Sequence, residues 1–221
     1  MERIPEPELM DDEAQARAYA EADFSEPNAR FVELFAKLAP DFAGDVLDLG
    51  CGPGDIALRL ARRFPGARFD AVDASEAMLS LARRVLEDES DLAARVGFLN
   101  ARIPGARMPR PRYGAVISNS LLHHLPDPGF LWKTVGEYAA PGAFILVMDL
   151  IRPASTEQTS ELVARYAIDE PEILRRDFYN SLLAAFEPAE VEVQLAEAGL
   201  EFLNVNPVSD RHLLVSGRMP N

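Results

Sequence analysis

One cysteine, Cys51, is all the thiol this 221-residue chain carries, so no intrachain disulfide can form and a reducing compartment suits it. No apolar run approaches the roughly 20 residues needed to cross a bilayer. The opening Met1-Glu2-Arg3-Ile4-Pro5-Glu6 has neither the basic region nor the apolar core of a secretory signal, so a cytoplasmic location without membrane contact is expected. Basic residues are also short: 22 Lys and Arg stand against 36 Asp and Glu, a net charge of -14. Such a surface repels a phosphate backbone, which argues against nucleic acid and leaves a small molecule as the expected partner. The one basic cluster, Arg102, Arg107, Arg110 and Arg112, is interleaved with Pro104, Pro109 and Pro111 and reads as a solvated loop. There is no thiol cluster and no spaced set of carboxylates. His123 and His124 are adjacent and expected to diverge, so no metal is expected. The nucleophile-elbow pattern G-x-S-x-G is missing around Ser118 and Ser120, which excludes a serine hydrolase of that type.

What is present starts at residues 46–54, Val-Leu-Asp-Leu-Gly-Cys-Gly-Pro-Gly. A short aliphatic run enters a turn with glycines at alternate positions, where the backbone can bend sharply and approach a ligand without a Cβ in the way. The next stretch, 55–64, puts Ile56, Ala57, Leu60 and Ala61 on one helical face, completing the first half of a βαβ unit. A second apolar strand over 68–72 ends in Asp73, about 20 residues beyond the glycine turn, where an acid accepts hydrogen bonds from two ribose hydroxyls. The glycine spacing G-x-G-x-G differs from the dinucleotide fingerprint G-x-G-x-x-G, so a nicotinamide dehydrogenase is a remote reading.

Asp48-Leu49-Gly50-Cys51-Gly52-Pro53-Gly54 resembles motif I of the class I S-adenosylmethionine-dependent methyltransferases, and Val72-Asp73-Ala74-Ser75-Glu76-Ala77-Met78-Leu79 is similar to the continuation of that motif. A third match is the segment over 113–127, with Leu-Leu-His-His-Leu-Pro-Asp, which resembles strand four of the small-molecule, quinone-biosynthesis type of these enzymes. The resemblance implies S-adenosyl-L-methionine as cofactor. It implies cofactor contacts from Asp48, Gly50, Cys51, Gly52, Gly54, Asp73 and Ala74, with Met78 beside the adenine. Asn100 and Ala101 would contact the adenine amino group, and Ser118 and Asn119 would lie at the carboxyl edge of strand four. Asn100 stands where the family commonly has Asp. The reaction implied is in-line displacement of the methyl group by an O, N or C nucleophile, for which a dedicated catalytic residue is optional. His124 and Tyr179 are the candidates for proton removal, and Arg211 or Arg176 for orienting an acidic substrate. Cys51 is expected to point into the fold and to play no nucleophilic part.

Strands alternate with helices, with further strands expected over 96–99, 113–118, 143–149, 201–206 and 212–217, the last two forming a hairpin around Pro207, Ser209 and Asp210. The fold that the resemblance implies is α/β, a Rossmann-like, mostly parallel seven-stranded sheet whose antiparallel last strand inserts beside the fifth, with helices on both faces. A single domain over 1–221 is expected, with a helical lid over 1–38 offering Tyr19 and Phe24, a cofactor core over 40–150, a helical substrate cap over 151–187 and a terminal helix and hairpin over 188–221. Two alternatives share this fold: an enzyme that alters the cofactor itself, such as a carboxy-S-adenosylmethionine synthase, and a non-catalytic S-adenosylmethionine-binding module.

Overall fold

A computed structural model of the chain describes residues 1–6, 19 and 22–221. Its elements run α1 Ser25–Leu38, β1 Asp45–Leu49, α2 Asp55–Arg63, β2 Arg68–Asp73, α3 Glu76–Glu87, a single turn α4 Ser90–Ala93, β3 Val96–Asn100 and β4 Tyr113–Asn119. A 3₁₀ turn, Leu122–His124, then leads to α5 Gly129–Tyr138, β5 Ala139–Leu150, α6 Thr156–Tyr166, α7 Glu172–Ala184, α8 Pro188–Glu197, β6 Asn204–Pro207 and β7 His212–Arg218. The strands form one sheet in the order β3-β2-β1-β4-β5-β7-β6. Only β7 runs against its neighbours, pairing antiparallel with both β5 and β6. This is the Rossmann-like sheet expected from the sequence. Of the helix expected over the N-terminal stretch, Ser25–Leu38 is observed; residues 11–18, 20 and 21 lie outside the described residues.

The central strand β1 is flanked by β2 and β4 and buried on both faces, which is why Val46, Leu47 and Leu49 are apolar on both sides of it, with Asp48 the one acid between them. One face of the sheet is covered by Phe31 and Phe35 of α1 and Ile56, Leu58 and Leu60 of α2. The other is covered by Leu131, Trp132 and Val135 of α5 with Val191 and Leu195 of α8. Trp132 is fully buried and its indole N–H donates to Gln194 Oε1 at 3.0 Å, so the polar edge of the largest core side chain is satisfied. Between α1 and α2 the buried Asn28 donates to Asp55 Oδ2 at 2.6 Å, and Arg59 donates to the same oxygen at 2.6 Å. α2 has Asp55 in its first turn and Arg62 and Arg63 in its last, matching the helix dipole at both ends.

Two strands depart from expectation. β5 starts at Ala139, four residues before Ala143, and absorbs Pro141 and Gly142 as an irregularity, because Tyr113 pairs with Ala139 while Ala115 pairs with Phe144. The sheet accommodates that stretch as a bulge, with Gly142 at φ +71°. β6 begins only at Asn204, since residues 201–203 still belong to the turn after α8. It is a four-residue edge strand ending in Pro207, a short edge that offers little to another chain.

Gly54 is the N-cap of α2, at φ +83°, and a Cβ there would lie 2.6 Å from the Phe98 ring on β3. Gly54→Ala therefore meets both left-handed strain and overpacking, and is expected to cost about 2–5 kcal/mol. Gly52→Ala, at φ +52° with no heavy atom within 4 Å of the added Cβ, is expected to cost only about 1–2 kcal/mol. Thermal melts of the two variants test this; equal losses would show that the contact with Phe98 does not set the spacing of helix and sheet.

Candidate active site

The carboxyl ends of β1, β2 and β4 open into a cavity of about 620 Å³, of the size that holds drug-sized ligands. The turn after β1 is built by the backbone: Gly50 and Cys51 both donate their N–H groups to Val72 O, at 2.8 and 3.0 Å. A Cβ on Gly50 would lie 2.8 Å from Leu121, so this glycine lets the loop after β4 close against the turn. One residue further, Gly52 donates its N–H to Asp73 Oδ2 at 2.8 Å, and Ser75 donates its N–H to Asp73 Oδ1 at 2.8 Å. The side chain of Ser75 then caps α3 by accepting the Met78 N–H. Asp73 thus ties the glycine turn to the start of α3, and it lines the cavity.

Two acids lie at the floor. Asp48 is 1% exposed, and its Oδ2 has no hydrogen-bond partner among the described residues. Burial, with the charge of Asp73 added, pushes its carboxyl up to about 7. Asp73 is also raised by burial, against the pull of the Ser75 and Gly52 N–H groups. Asn119 Oδ1 is likewise buried and unpartnered among the described residues. Beside it Ser120 holds φ +58°, the only positive φ outside glycine among the described residues, and donates its N–H to Met148 O at 2.9 Å. Strained backbone and orphaned polar atoms at one edge mark a place shaped for a ligand.

Of the residues singled out in the sequence, Tyr19, Asp48, Gly50, Cys51, Gly52, Asp73, Ala74, Met78, Ala101, Asn119 and His124 line this cavity, as does Phe24. Tyr19 and Phe24 pack with ring centroids 4.6 Å apart, and burial with nearby carboxylates pushes the Tyr19 hydroxyl up to about 12. The Cys51 thiol is raised well above its usual value by burial and by Asp48 and Asp73, so it stays protonated and is no nucleophile.

Other expected residues are elsewhere. Gly54 is structural and outside the lining. Ser118 is fully buried and its hydroxyl donates to Leu49 O at 2.8 Å, because alternation along β4 turns it away from the face Asn119 occupies. Asn100 also lies outside the lining: its amide donates to Ala74 O at 3.1 Å and so braces the loop. Tyr179, on α7, does not reach the cavity. Arg211 stacks on Tyr166, 3.4 Å from the ring centroid, and Arg176 is a surface residue near Asp177; neither lines the cavity. The sequence reading missed Ser120, Leu121, Arg102 and Ile103, which do line it. Leu121 carried one signal, its place right after a strand end.

Next to the cavity the histidines do not diverge. Their ring centroids are 4.1 Å apart. His123 Nδ1 meets Asp149 Oδ1 at 2.6 Å, and Asp149 Oδ2 accepts the Leu122 N–H at 2.7 Å. Burial opposes charge on His123, but the carboxylates of Asp149 and Glu6 hold its pKa above the ordinary value. His124 Nδ1 lies 3.0 Å from Glu6 Oε1.

A family model described as a methyltransferase domain matches residues 46–142, the stretch that carries the glycine turn, Asp73 and the histidine loop. Over that stretch the chain is similar to a methyltransferase domain. Trans-aconitate 2-methyltransferase of Mycobacterium tuberculosis is 33% identical over 156 residues, 71% of this chain and 52% of that protein. An uncharacterized methyltransferase of Mycobacterium bovis is 32% identical over 127 residues, 58% of this chain and 61% of that one. The chain therefore spans about half the length of the first curated relatives it matches. Among solved structures, a SAM-dependent methyltransferase from Aquifex aeolicus superposes with TM-score 0.68 at 16% identity, covering 93% of this chain and 98% of that one. The plantazolicin methyltransferase BpumL, in complex with a triazolic desmethylPZN analog and SAH, superposes with TM-score 0.71 at 14% identity, covering 95% of this chain and 90% of that one. These two likenesses show the shared fold. Among the described residues no helix is long and apolar enough to cross a membrane.

The raised carboxyl of Asp48 sets a pH dependence for the domain. Between the usual carboxylate range and about pH 7 the folded state keeps a proton that the unfolded chain has released, so stability falls as pH rises through that window and is level above it. Asp48→Asn removes the titration. Its stability relative to wild type is expected to rise by up to about 4 kcal/mol between pH 4 and pH 8, read by chemical denaturation. Parallel curves for the two proteins would refute the assignment.

Proposed function

We propose that this chain transfers a methyl group from S-adenosyl-L-methionine to a small-molecule acceptor. The observation that carries the reading is the pair of buried carboxyls, Asp48 and Asp73, on the floor of a glycine-walled cavity, one with an oxygen that has no partner among the described residues. Both are raised in the unliganded protein, so a ligand bearing positive charge and hydroxyl donors would relieve both at once. S-adenosylmethionine, when bound, supplies an electrophilic methyl group on a cationic sulfur together with an ammonium group and a ribose diol.

The chain's own residues would do the rest. Asp73 has acceptor capacity left after its two backbone bonds and would take the ribose hydroxyls. Gly52 leaves open space where any side chain would intrude. Met78, 4% exposed and lining the cavity, would form an apolar, polarizable wall for the adenine. Tyr19 and Phe24 would exclude water from above, and His124 marks the acceptor side. Residues 151–187, which hold α6 and α7, would act as the cap over the acceptor. Trans-aconitate 2-methyltransferase, the relative at 33% identity, is named for a carboxylic acid acceptor, and Arg102 in the cavity lining would suit such an acid. The net charge of -14 supports a small acceptor over a polyphosphate.

Calorimetric titration of S-adenosylhomocysteine into wild type and Asp73→Ala tests the cofactor site. Binding to wild type, weakened in the variant by about 1–3 kcal/mol (roughly 5- to 150-fold), is the expected result, with circular dichroism confirming that the variant is folded. No heat with wild type would end the reading.

A further inference from the structure

The first six residues do more than enter the fold. Ile4 donates its N–H to Leu183 O at 3.0 Å. The Arg3 guanidinium donates to Ala184 O, His123 O and Leu125 O at 2.6, 2.9 and 3.2 Å, and stacks 4.0 Å from the centroid of the Phe186 ring. This strap delivers Glu6, its side chain 10% exposed, to the two histidines beside the cavity. Glu6 Oε1 lies 3.0 Å from His124 Nδ1 and 3.6 Å from His123 Nε2. One ligand atom from each of the three residues falls within 4.8 Å of the other two.

We propose that Glu6, His123 and His124 bind a divalent cation of the zinc class at the wall of the cavity. An ion held at about 2.0–2.1 Å in tetrahedral geometry separates its ligand atoms by about 3.3 Å; the spacings of 3.0 and 3.6 Å straddle that value. The donor set of two imidazoles and one carboxylate is suited to Zn²⁺. The surroundings are those of a metal-ligating histidine. Asp149 engages His123 Nδ1 at 2.6 Å, which leaves Nε2 as the ligating nitrogen and fixes the ring. Ser181 on α7 donates its hydroxyl to Glu6 Oε1 at 3.0 Å and orients the carboxylate.

The buried carboxylates of Glu6 and Asp149 supply negative charge, which offsets the nearby Arg3 guanidinium, itself bonded to the His123 and Leu125 carbonyls. Because the first ligand comes from the strap and the others from the loop after β4, the ion fastens the strap to the cavity wall. Three protein ligands leave one tetrahedral position open, and His124 lines the cavity. A water or an acceptor oxygen, hydroxyl or carboxylate, fills that position. An acceptor hydroxyl bound there would have a lowered pKa and would release its proton to solvent water more readily.

The site stands on side-chain geometry alone, and its test is made without cofactor, so it stands or falls apart from the methyl-transfer reading. Untagged chain, stripped with chelator, is titrated with Zn²⁺ in the calorimeter. One ion per chain, with Kd of about 1 µM or below, is expected, and Glu6→Gln and His124→Gln are each expected to weaken it at least about tenfold while melting as folded proteins. Co²⁺ in place of Zn²⁺ is expected to give the intense visible bands of a four-coordinate ion. Absence of binding to wild type, affinity unchanged in both variants, or the weak spectrum of a six-coordinate ion would overturn the proposal and leave a hydrogen-bonded Glu–His–His cluster.

Discussion

The hydrogen bonds of one carboxylate organise the cofactor end of this molecule. Asp73 sits at the tip of β2 and holds the N–H of Gly52 in the neighbouring turn and the N–H of Ser75 at the start of α3. The turn after β1 is thereby bonded to the turn after β2, on one side of the cavity. The arrangement has a cost. Asp73 lies close enough to Asp48 to raise its carboxyl further, and both are desolvated. Two acids of one sign in a low-dielectric floor make the empty site electrostatically unfavourable, and any cation-bearing ligand that fits is bound partly by relieving that strain.

That constraint also explains what was legible in the sequence. Glycines at 50, 52 and 54 and the acid at 73 are demanded by backbone geometry over short stretches, and such demands leave a pattern that spacing can reveal. The alternation of strand and helix marked an α/β sheet, while the placing of its last strand came with the family resemblance. Side-chain direction was harder. Ser118 and Asn119 cannot both face a ligand from one strand, and the period of two already implied that one of them would turn to the core. Asn100 and Ala101 divide similarly: the asparagine braces the loop through Ala74 O while Ala101 meets the cavity.

What could not be read locally is whatever depends on residues far apart in the chain. Adjacency argued that His123 and His124 diverge. In the tight turn Leu122–His124 they are held by partners from other elements, Asp149 of β5 for His123 and Glu6 of the N-terminal strap for His124. Tyr179 was a reasonable choice for a base from its helix alone, but Ser181, two residues on, is the side chain of α7 that reaches the histidine cluster, through Glu6.

The strap that carries Glu6 owes its position to the end of α7. A helix leaves its last carbonyls without partners and presents a partial negative charge there. At this end Leu183 O accepts the Ile4 N–H, Ala184 O accepts Arg3 and Ala185 O accepts Arg152, so three consecutive orphan groups are satisfied, two of them by guanidinium groups. Arg152 is itself 7% exposed, held by Glu187 and Glu190, and donates to Met1 O at 2.9 Å, which clamps the strap from its first residue. Helix capping at α7 and side-chain placement at the cavity wall are thus one structure. Through Arg3, Ile4 and Glu6 the strap bonds both α7 and the histidine loop, and so ties one to the other.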